Sequence, residues 1–250
     1  MKIRALLLVS MLTFLACRTV PLKAPDLDAA AVLDRHVAAT GGPEAYAHNF
    51  RISKGTVLYK SLNTLCNLTV HETRSTDRRW FSRSEATGDQ EEGSFEDVAW
   101  SYALMSGVLL PEGEDLDQAL RDAPIDAAVR WREQFESVKL LPDRILDSRA
   151  VHAVELTPAS GTSEVRFFDV ETGLHVRTEG RRIYYGNLLP VVFTYGDYRS
   201  VDGVLLSHSI RRAYASIEEL IIELHEVDHV ENLPPTTFDP PAEVAALLSQ

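Results

Sequence analysis

The segment from His225 to His229 reads His-Glu-Val-Asp-His and matches the His-Glu-x-x-His pattern of zinc metalloproteases. On an α-helix, the two histidines would lie on one face and bind zinc, and Glu226 would act as the general base. The surrounding sequence favours a strand, because Leu220, Ile222 and Leu224 are apolar at every second position and Pro234-Pro235 ends the segment. In a strand, the two histidines would lie about 13 Å apart and could not bind one ion. We therefore expect a strand without zinc, and the metalloprotease remains an alternative.

Three arginine doublets are further candidates, because guanidinium groups can bind phospholipid phosphates. They are Arg78-Arg79, Arg181-Arg182 and Arg211-Arg212. All three lie in predicted strands, where adjacent side chains point to opposite faces. Each doublet can therefore offer only one arginine to a given face, and we interpret the doublets as ordinary solvated charge.

Other chemistry is not indicated. The acidic run from Glu112 to Asp117 lies at a predicted helix start, where the helix dipole favours negative charge. The sequence contains no Gly-x-Ser-x-Gly, Walker or Gly-x-Gly-x-x-Gly motif. These observations indicate a protein that is not an enzyme and uses no cofactor or metal.

Composition narrows the class of protein. The chain has 250 residues, a formal net charge of −12 and two cysteines. The acidic balance argues against nucleic-acid binding, which needs a basic face. Two cysteines are too few for a disulfide-built scaffold or a multi-cysteine metal site. If the sulfur of Cys17 carries a lipid, Cys66 is the remaining thiol. We expect Cys66 to be a small buried apolar side chain.

The amino terminus predicts where the protein is located in the cell. Lys2 and Arg4 precede an apolar run that ends at Leu15, shorter than the roughly 20 residues of a membrane span and typical of a signal peptide. Cys17 follows in an imperfect lipobox. We therefore predict a signal peptide over residues 1–16, a lipidated Cys17 and a tether over 17–25, with a plain secretory signal or an uncleaved anchor as alternatives. Arg18 favours an outer-membrane lipoprotein that faces the periplasm of a bacterial envelope.

The rest of the chain, residues 26–250, reads as strands with helices at two places. Apolar spacing predicts a helix from Leu27 to Ala38 that ends at Gly41-Gly42, and helices over 112–122 and 125–135. Alternation predicts strands over 52–60, 65–72, 79–85, 95–102, 138–146, 151–157, 164–170, 174–179, 191–199, 204–214 and about 220–230. Turns are predicted at Asp169–Gly173 and at Asp202-Gly203. This order predicts an α+β fold, a single large curved antiparallel sheet forming an open, unclosed β-barrel, with helices covering the concave side.

Several segments resemble LolA/LolB-like bacterial envelope proteins over about residues 30 to 245. They are Val32–Tyr46, Ser53–Thr56, Phe168–Leu174, Asp197–Leu206, and Glu231-Asn232 followed by Phe238–Pro241. One departure is Ser207, where relatives often have proline. The resemblance implies an unclosed antiparallel barrel around an apolar cavity, which in the characterised carriers receives lipoprotein acyl chains. Many relatives with this opening are uncharacterised.

These observations together predict an envelope-anchored, non-enzymatic lipoprotein that binds an apolar ligand such as a lipid or an acylated protein. The predicted inward residues are Trp80, Trp100, Phe167, Val191, Phe193, Leu206 and Ile210. The alternative is a structural or interaction lipoprotein whose barrel is filled by its own side chains. A connected cavity of several hundred Å³ would favour the binding function.

Overall fold

The computed structural model describes residues 27–85, 88–104, 106–184 and 187–249. The predicted signal peptide, Cys17 and the tether lie outside these residues. Within the four described stretches, no helix has both the length and the apolar character needed to cross a membrane.

Thirteen antiparallel strands in the described residues form one sheet, with the order β6-β5-β4-β3-β2-β1-β13-β12-β11-β10-β9-β8-β7. Two consecutive meanders, β1–β6 and β7–β13, are joined by the pairing of β1 with β13. The strands are β1 Phe50–Tyr59, β2 Thr64–Thr73, β3 Arg78–Ser84, β4 Gly88–Phe95, β5 Val98–Ala103, β6 Gly107–Leu109, β7 Ser137–Leu146, β8 Arg149–Thr157, β9 Glu164–Asp169, β10 His175–Tyr184, β11 Asn187–Val201, β12 Val204–Tyr214 and β13 Glu218–Val230.

The sheet is strongly curved but not closed. Arg212 on β12 lies 5.7 Å from the ring centroid of Trp80 on β3, although three strands separate them. In a flat sheet, with strands about 4.8 Å apart, β3 and β12 would lie roughly 19 Å from each other. The edge strands β6 and β7 do not pair with each other. The prediction of an open, curved antiparallel barrel is therefore confirmed.

The segment that links the two edges covers the concave side. It contains α2, Glu114–Asp122, and α3, Trp131–Gln134. Asp122 on α2 forms an ion pair with Arg182 on β10, at 3.0 Å. Arg132 on α3 forms an ion pair with Asp34 of the first helix, at 2.7 Å. These charges hold the linking segment against both the sheet and the first helix.

The first helix, α1, spans Ala29–Ala39. Asp28 caps it, because the carboxylate accepts a hydrogen bond from the Ala31 amide at 2.7 Å. Its apolar side packs with β8 and β9 in a cluster that includes Val32, Leu33, Val37, Val154, Leu156 and Phe168. A 3₁₀ helix at Pro43–Tyr46 follows. Burial of this apolar stripe positions α1 over the concave face, as the spacing predicted.

The end of α1 packs directly on the hairpin between β11 and β12. Gly41 has a φ of +120°, and a Cβ added to it would lie 2.2 Å from the carbonyl oxygen of Gly203. The Leu205 amide donates a hydrogen bond to the Thr40 carbonyl at 3.0 Å. Asp202 and Gly203 both have positive φ, as a two-residue hairpin turn requires. Both the glycine helix end and this turn are confirmed.

Several elements differ from the prediction. The predicted strand over 95–102 is confirmed only from Val98 to Tyr102, because Glu96 has a φ of +55° in a turn that separates β4 from β5. The helix over 125–135 is reduced to turns followed by α3. A further 3₁₀ helix, Pro235–Phe238, and helix α4, Ala242–Leu248, were not predicted. Strand β4 carries mostly polar residues, so its conformation is decided by pairing with β3 and β5 and not by alternation.

Candidate functional site

The concave side of the sheet holds a partly open cavity of about 810 Å³. Strands of both meanders, the end of α1 and the linking segment contribute to its walls. Its lining includes Leu110, Ala119 and Ile125 of the linking segment and strand residues such as Tyr59 and Tyr214. The volume lies within the range of small-molecule and lipid pockets, about 300–1,000 Å³.

Four of the seven predicted inward residues border this cavity from the concave face. Trp80 on β3 is buried, and Phe193, Leu206 and Ile210 on β11 and β12 are half-buried. Leu206, Ile210 and Arg212 alternate along β12 on the same face. As contacts to a ligand, these residues remain predictions.

The other three differ from these four in the face they occupy or in their packing. Phe167 is fully buried with Val151 and Ala153, on the face opposite Arg166 and Phe168, so the adjacent phenylalanine takes the inward position. Val191 faces inward but belongs to the packed core beside the cavity. Trp100 borders the cavity, yet it is in register with Gly93 and Arg79, on the opposite face from Trp80.

The packed core next to the cavity closes one part of the barrel. Its buried residues are Val57, Tyr59, Cys66, Leu68, Val70, Trp80, Val191, Tyr214, Leu220 and Ile222. Cys66 is buried among these side chains, which fits the apolar role predicted for it. The barrel is therefore filled in one part and open in another.

Each arginine doublet sends one arginine into the cavity and one to the opposite face. Arg78, Arg182 and Arg212 border the cavity. Arg79 pairs with Glu91 on the other face, and Arg181 and Arg211 are exposed. The rule of one arginine per face is confirmed, but the interpretation as solvated charge is wrong for the inward member of each pair.

A buried charge network lies in the wall formed by β9 and β10. Glu164 accepts hydrogen bonds from Arg166 at 2.6 Å and from Arg182 at 2.7 Å, and its side chain is only 4% exposed. Burial alone would raise the pKa of Glu164, but the two guanidinium groups more than offset it and lower the pKa to about 2. Gly180 leaves room for this carboxylate, since a Cβ there would lie 3.2 Å from the Glu164 Cβ. Together with Asp122, which also pairs with Arg182, Glu164 balances the two arginine charges of this wall.

Neutral aromatic groups line the neighbouring wall. The His175 ring lies 4.5 Å from the Tyr195 ring and 5.9 Å from the His36 ring, measured between centroids. Burial lowers the pKa of His36 to about 4, and burial holds the pKa of His175 well below its ordinary value. Both imidazoles are therefore uncharged at neutral pH, and this wall offers ring surfaces to an apolar ligand. Sequence reasoning missed it, although the alternation around Phe193 also points Tyr195 inward.

The zinc motif lies on strand β13, as the alternation predicted. The register passes from Lys54 opposite Glu226 to Gly55 opposite Leu224, so His225 occupies a β-bulge. The helix that a metalloprotease requires is therefore not formed.

One group of metal-binding side chains occurs among the described residues, made of His48, Asp202 and His229. The His229 Nδ1 lies 3.1 Å from an Asp202 carboxylate oxygen. The two imidazoles stack with centroids 3.9 Å apart and planes 3° from parallel. An imidazole binds a metal through a lone pair in its own plane. Since parallel planes do not meet, the two rings as arranged cannot bind the same ion.

Comparisons with known proteins bear on the fold. No protein-family model and no curated protein matches the chain. Solved structures do match it, among them a LolA superfamily protein from Nitrosomonas europaea, with a TM-score of 0.58 and 12% identity, covering 86% of this chain and 98% of that one. A DUF1329 family protein from Desulfovibrio piger gives a TM-score of 0.58 and 14% identity over 86% of this chain and 98% of its own.

A third match is a protein domain from Vibrio parahaemolyticus described as outer membrane lipoprotein-sorting. It has a TM-score of 0.55 and 13% identity, and the match covers 88% of this chain and 97% of that one. At these identities the likeness concerns the fold alone. The curved, unclosed sheet, the helices on its concave side and these three structures lead to one conclusion: the chain has a LolA-like fold.

Proposed function

We propose that this protein is a non-enzymatic envelope lipoprotein that binds an apolar ligand, such as a lipid or a lipoprotein acyl chain, in the barrel cavity. The observation that carries the proposal is the cavity of about 810 Å³ between the sheet and the linking segment. An acyl chain that enters it from water would gain roughly 25 cal/mol for each Å² of apolar surface buried. A carrier role, in which the ligand is a lipid or an acylated protein, fits this site.

Three observations support this function over its alternatives. A scaffold filled by its own side chains would leave no connected space of this volume, so the cavity favours binding. The lipoprotein-sorting description of the Vibrio parahaemolyticus neighbour agrees with an acylated partner. The metalloprotease alternative loses its basis because the motif lies on a strand.

Filling the cavity with a larger side chain should weaken the binding of an acyl ligand. Ala119 on α2 borders the cavity, and Ala119→Trp would occupy space that a ligand needs. We expect the affinity for a fluorescent fatty-acyl probe to fall at least about tenfold, which corresponds to about 1.4 kcal/mol. The measurement is a titration of the delipidated protein, together with its thermal unfolding.

The matched control is Asp117→Trp, which adds the same side chain to an exposed position of the same helix. Its probe affinity should equal that of the wild type. If Ala119→Trp folds and binds the probe as well as the control does, the ligand does not occupy this cavity. If the delipidated wild type takes up no probe, the scaffold function replaces the binding function.

The anchor is proposed at Cys17, next to the predicted signal peptide over residues 1–16. Cys17→Ser removes the thiol that would carry the lipid, so the protein should move from the membrane fraction to the soluble periplasmic fraction. The measurement is fractionation of cells, with mass spectrometry of the amino-terminal peptide. Unchanged membrane association of the variant, with no lipid-sized mass on the wild-type peptide, would contradict the anchor and its outer-membrane location.

A further inference from the structure

Arg212 is the inward member of the third arginine doublet, and aromatic rings surround its guanidinium group. The central carbon lies 5.7 Å from the centroid of Trp80 and 5.3 Å from that of Phe193. An aromatic ring attracts a cation but carries no net negative charge. The donor edge of Arg212 therefore still lacks a balancing anion.

The described residues supply no anionic partner for that edge. Arg78, Arg166 and Arg182 border the same cavity from strands, and each forms an ion pair with Glu72 or Glu164. Arg212 forms no ion pair within the described part of the chain. Its one hydrogen bond, from Nη1 to the Tyr214 hydroxyl, is 3.5 Å long, and its Nε is shielded from solvent without an acceptor.

An unpaired buried charge is costly, because desolvation is not offset by a carboxylate. Such a group is retained where a ligand supplies the missing charge. A guanidinium offers a planar fork of donors that matches the two oxygens of a carboxylate or a phosphate. The fork of Arg212 borders the cavity, so a ligand in that space could complete the pair.

We propose that Arg212 binds the anionic head group, carboxylate or phosphate, of an amphiphile whose acyl chain lies in the cavity. The proposal rests on the proposed function and specifies its ligand class. Arg212, Ile210, His208 and Leu206 alternate along one face of β12 over about 20 Å, and Arg212, Ile210 and Leu206 border the cavity. The head group at Arg212 would therefore place the chain against Ile210 and Leu206.

Glu92 on β4 is the acidic group that faces Arg212 from across the barrel. It is exposed and borders the cavity. Burial alone would lower the pKa of Arg212, but Tyr214 and the charge of Glu92 raise it, without an ion pair between Glu92 and Arg212. A bound anion would be repelled by Glu92. Glu92→Gln should therefore strengthen the binding of an anionic amphiphile.

The test compares two forms of one probe, a fluorescent fatty acid with a free carboxylate and its methyl ester. Arg212→Gln should weaken binding of the acid about 10- to 100-fold, as expected for a lost hydrogen-bonded charge pair, and change binding of the ester less than about threefold. The control is Arg211→Gln, at the exposed neighbour that pairs with Glu219 on the other face. It should bind both forms like the wild type. Competition by an alkyl phosphate and by the unlabelled fatty acid shows which head group is preferred.

The outcomes separate this proposal from the proposed function. If the wild type binds both forms and Arg212→Gln changes neither, acyl binding stands and the head-group site is overturned. If the wild type binds neither form, the proposed function itself fails. Thermal unfolding of the ligand-free variant is the second readout. Because the charge of Arg212 has no carboxylate partner in the ligand-free protein, Arg212→Gln should keep or raise the wild-type midpoint, and a marked fall would show a structural residue instead.

Discussion

Replacing Glu164 by glutamine should lower the free energy of unfolding by about 3–5 kcal/mol, the cost of breaking a buried ion pair from one side. Glutamine keeps the shape of the side chain but leaves Arg166 and Arg182 without their buried carboxylate. Arg182 also holds Asp122 of α2, so the linking segment should loosen with the network. The measurement is equilibrium unfolding in denaturant at neutral pH.

The pH dependence gives the same prediction a second readout. Because the pKa of Glu164 is lowered in the folded protein to about 2, its stabilisation is fully present above about pH 4.5 and is lost as the pH falls toward 2. The difference in free energy of unfolding between the wild type and Glu164→Gln should therefore become smaller over that pH interval. The control is Glu179→Gln, whose partner Arg177 is 31% exposed, and an exposed pair contributes at most about 1 kcal/mol. Equal losses in the free energy of unfolding for Glu164→Gln and Glu179→Gln would contradict the proposed stabilisation by the buried network.

Gly41→Ala should destabilise the protein by about 3 kcal/mol or more. Alanine at a φ of +120° is strained, and its Cβ would lie 2.2 Å from the Gly203 carbonyl oxygen, which is backbone and cannot simply rotate away. The end of α1 would have to move off the β11–β12 hairpin. The measurement is again denaturant unfolding, with circular dichroism to show that the variant folds.

Gly42→Ala is the control that separates strain from contact. Gly42 has a φ of +81°, but no atom lies within 4 Å of an added Cβ. Alanine there should cost only the backbone strain, about 1–3 kcal/mol. If the two variants lose the same free energy of unfolding, the contact between helix end and hairpin contributes nothing.

The Gly41–Gly203 contact joins two segments that are far apart in the sequence. Val32–Tyr46 and Asp197–Leu206 meet where Thr40 accepts the hydrogen bond from Leu205. The contact maintains the docking of α1 on the sheet. It says nothing about which ligand enters the cavity, because neither glycine offers a side chain to it.

Much of the strand pattern could be predicted because alternation is a local property. Residues two apart share a face whatever the strand pairs with, so β12 was predicted over the bounds it has, with Leu206 and Ile210 inward. Strand β4 carries no such signal, since its residues are mostly polar and its neighbours impose its conformation. At Phe167 and Phe168 both adjacent residues are apolar, so alternation alone could not choose the inward one.

The sequence by itself therefore determined the strand periodicity, the glycine turns, the strand at His225–His229 and the limit of one inward arginine for each doublet. Only the tertiary structure decided which of those arginines has a carboxylate partner. Arg182 meets Glu164 and Asp122, whereas Arg212 meets two aromatic rings because curvature brings β3 close to β12. The physical reason is that the backbone of a single strand sets the side of the sheet to which each side chain points. Burial and charge pairing depend instead on side chains that are distant in the sequence.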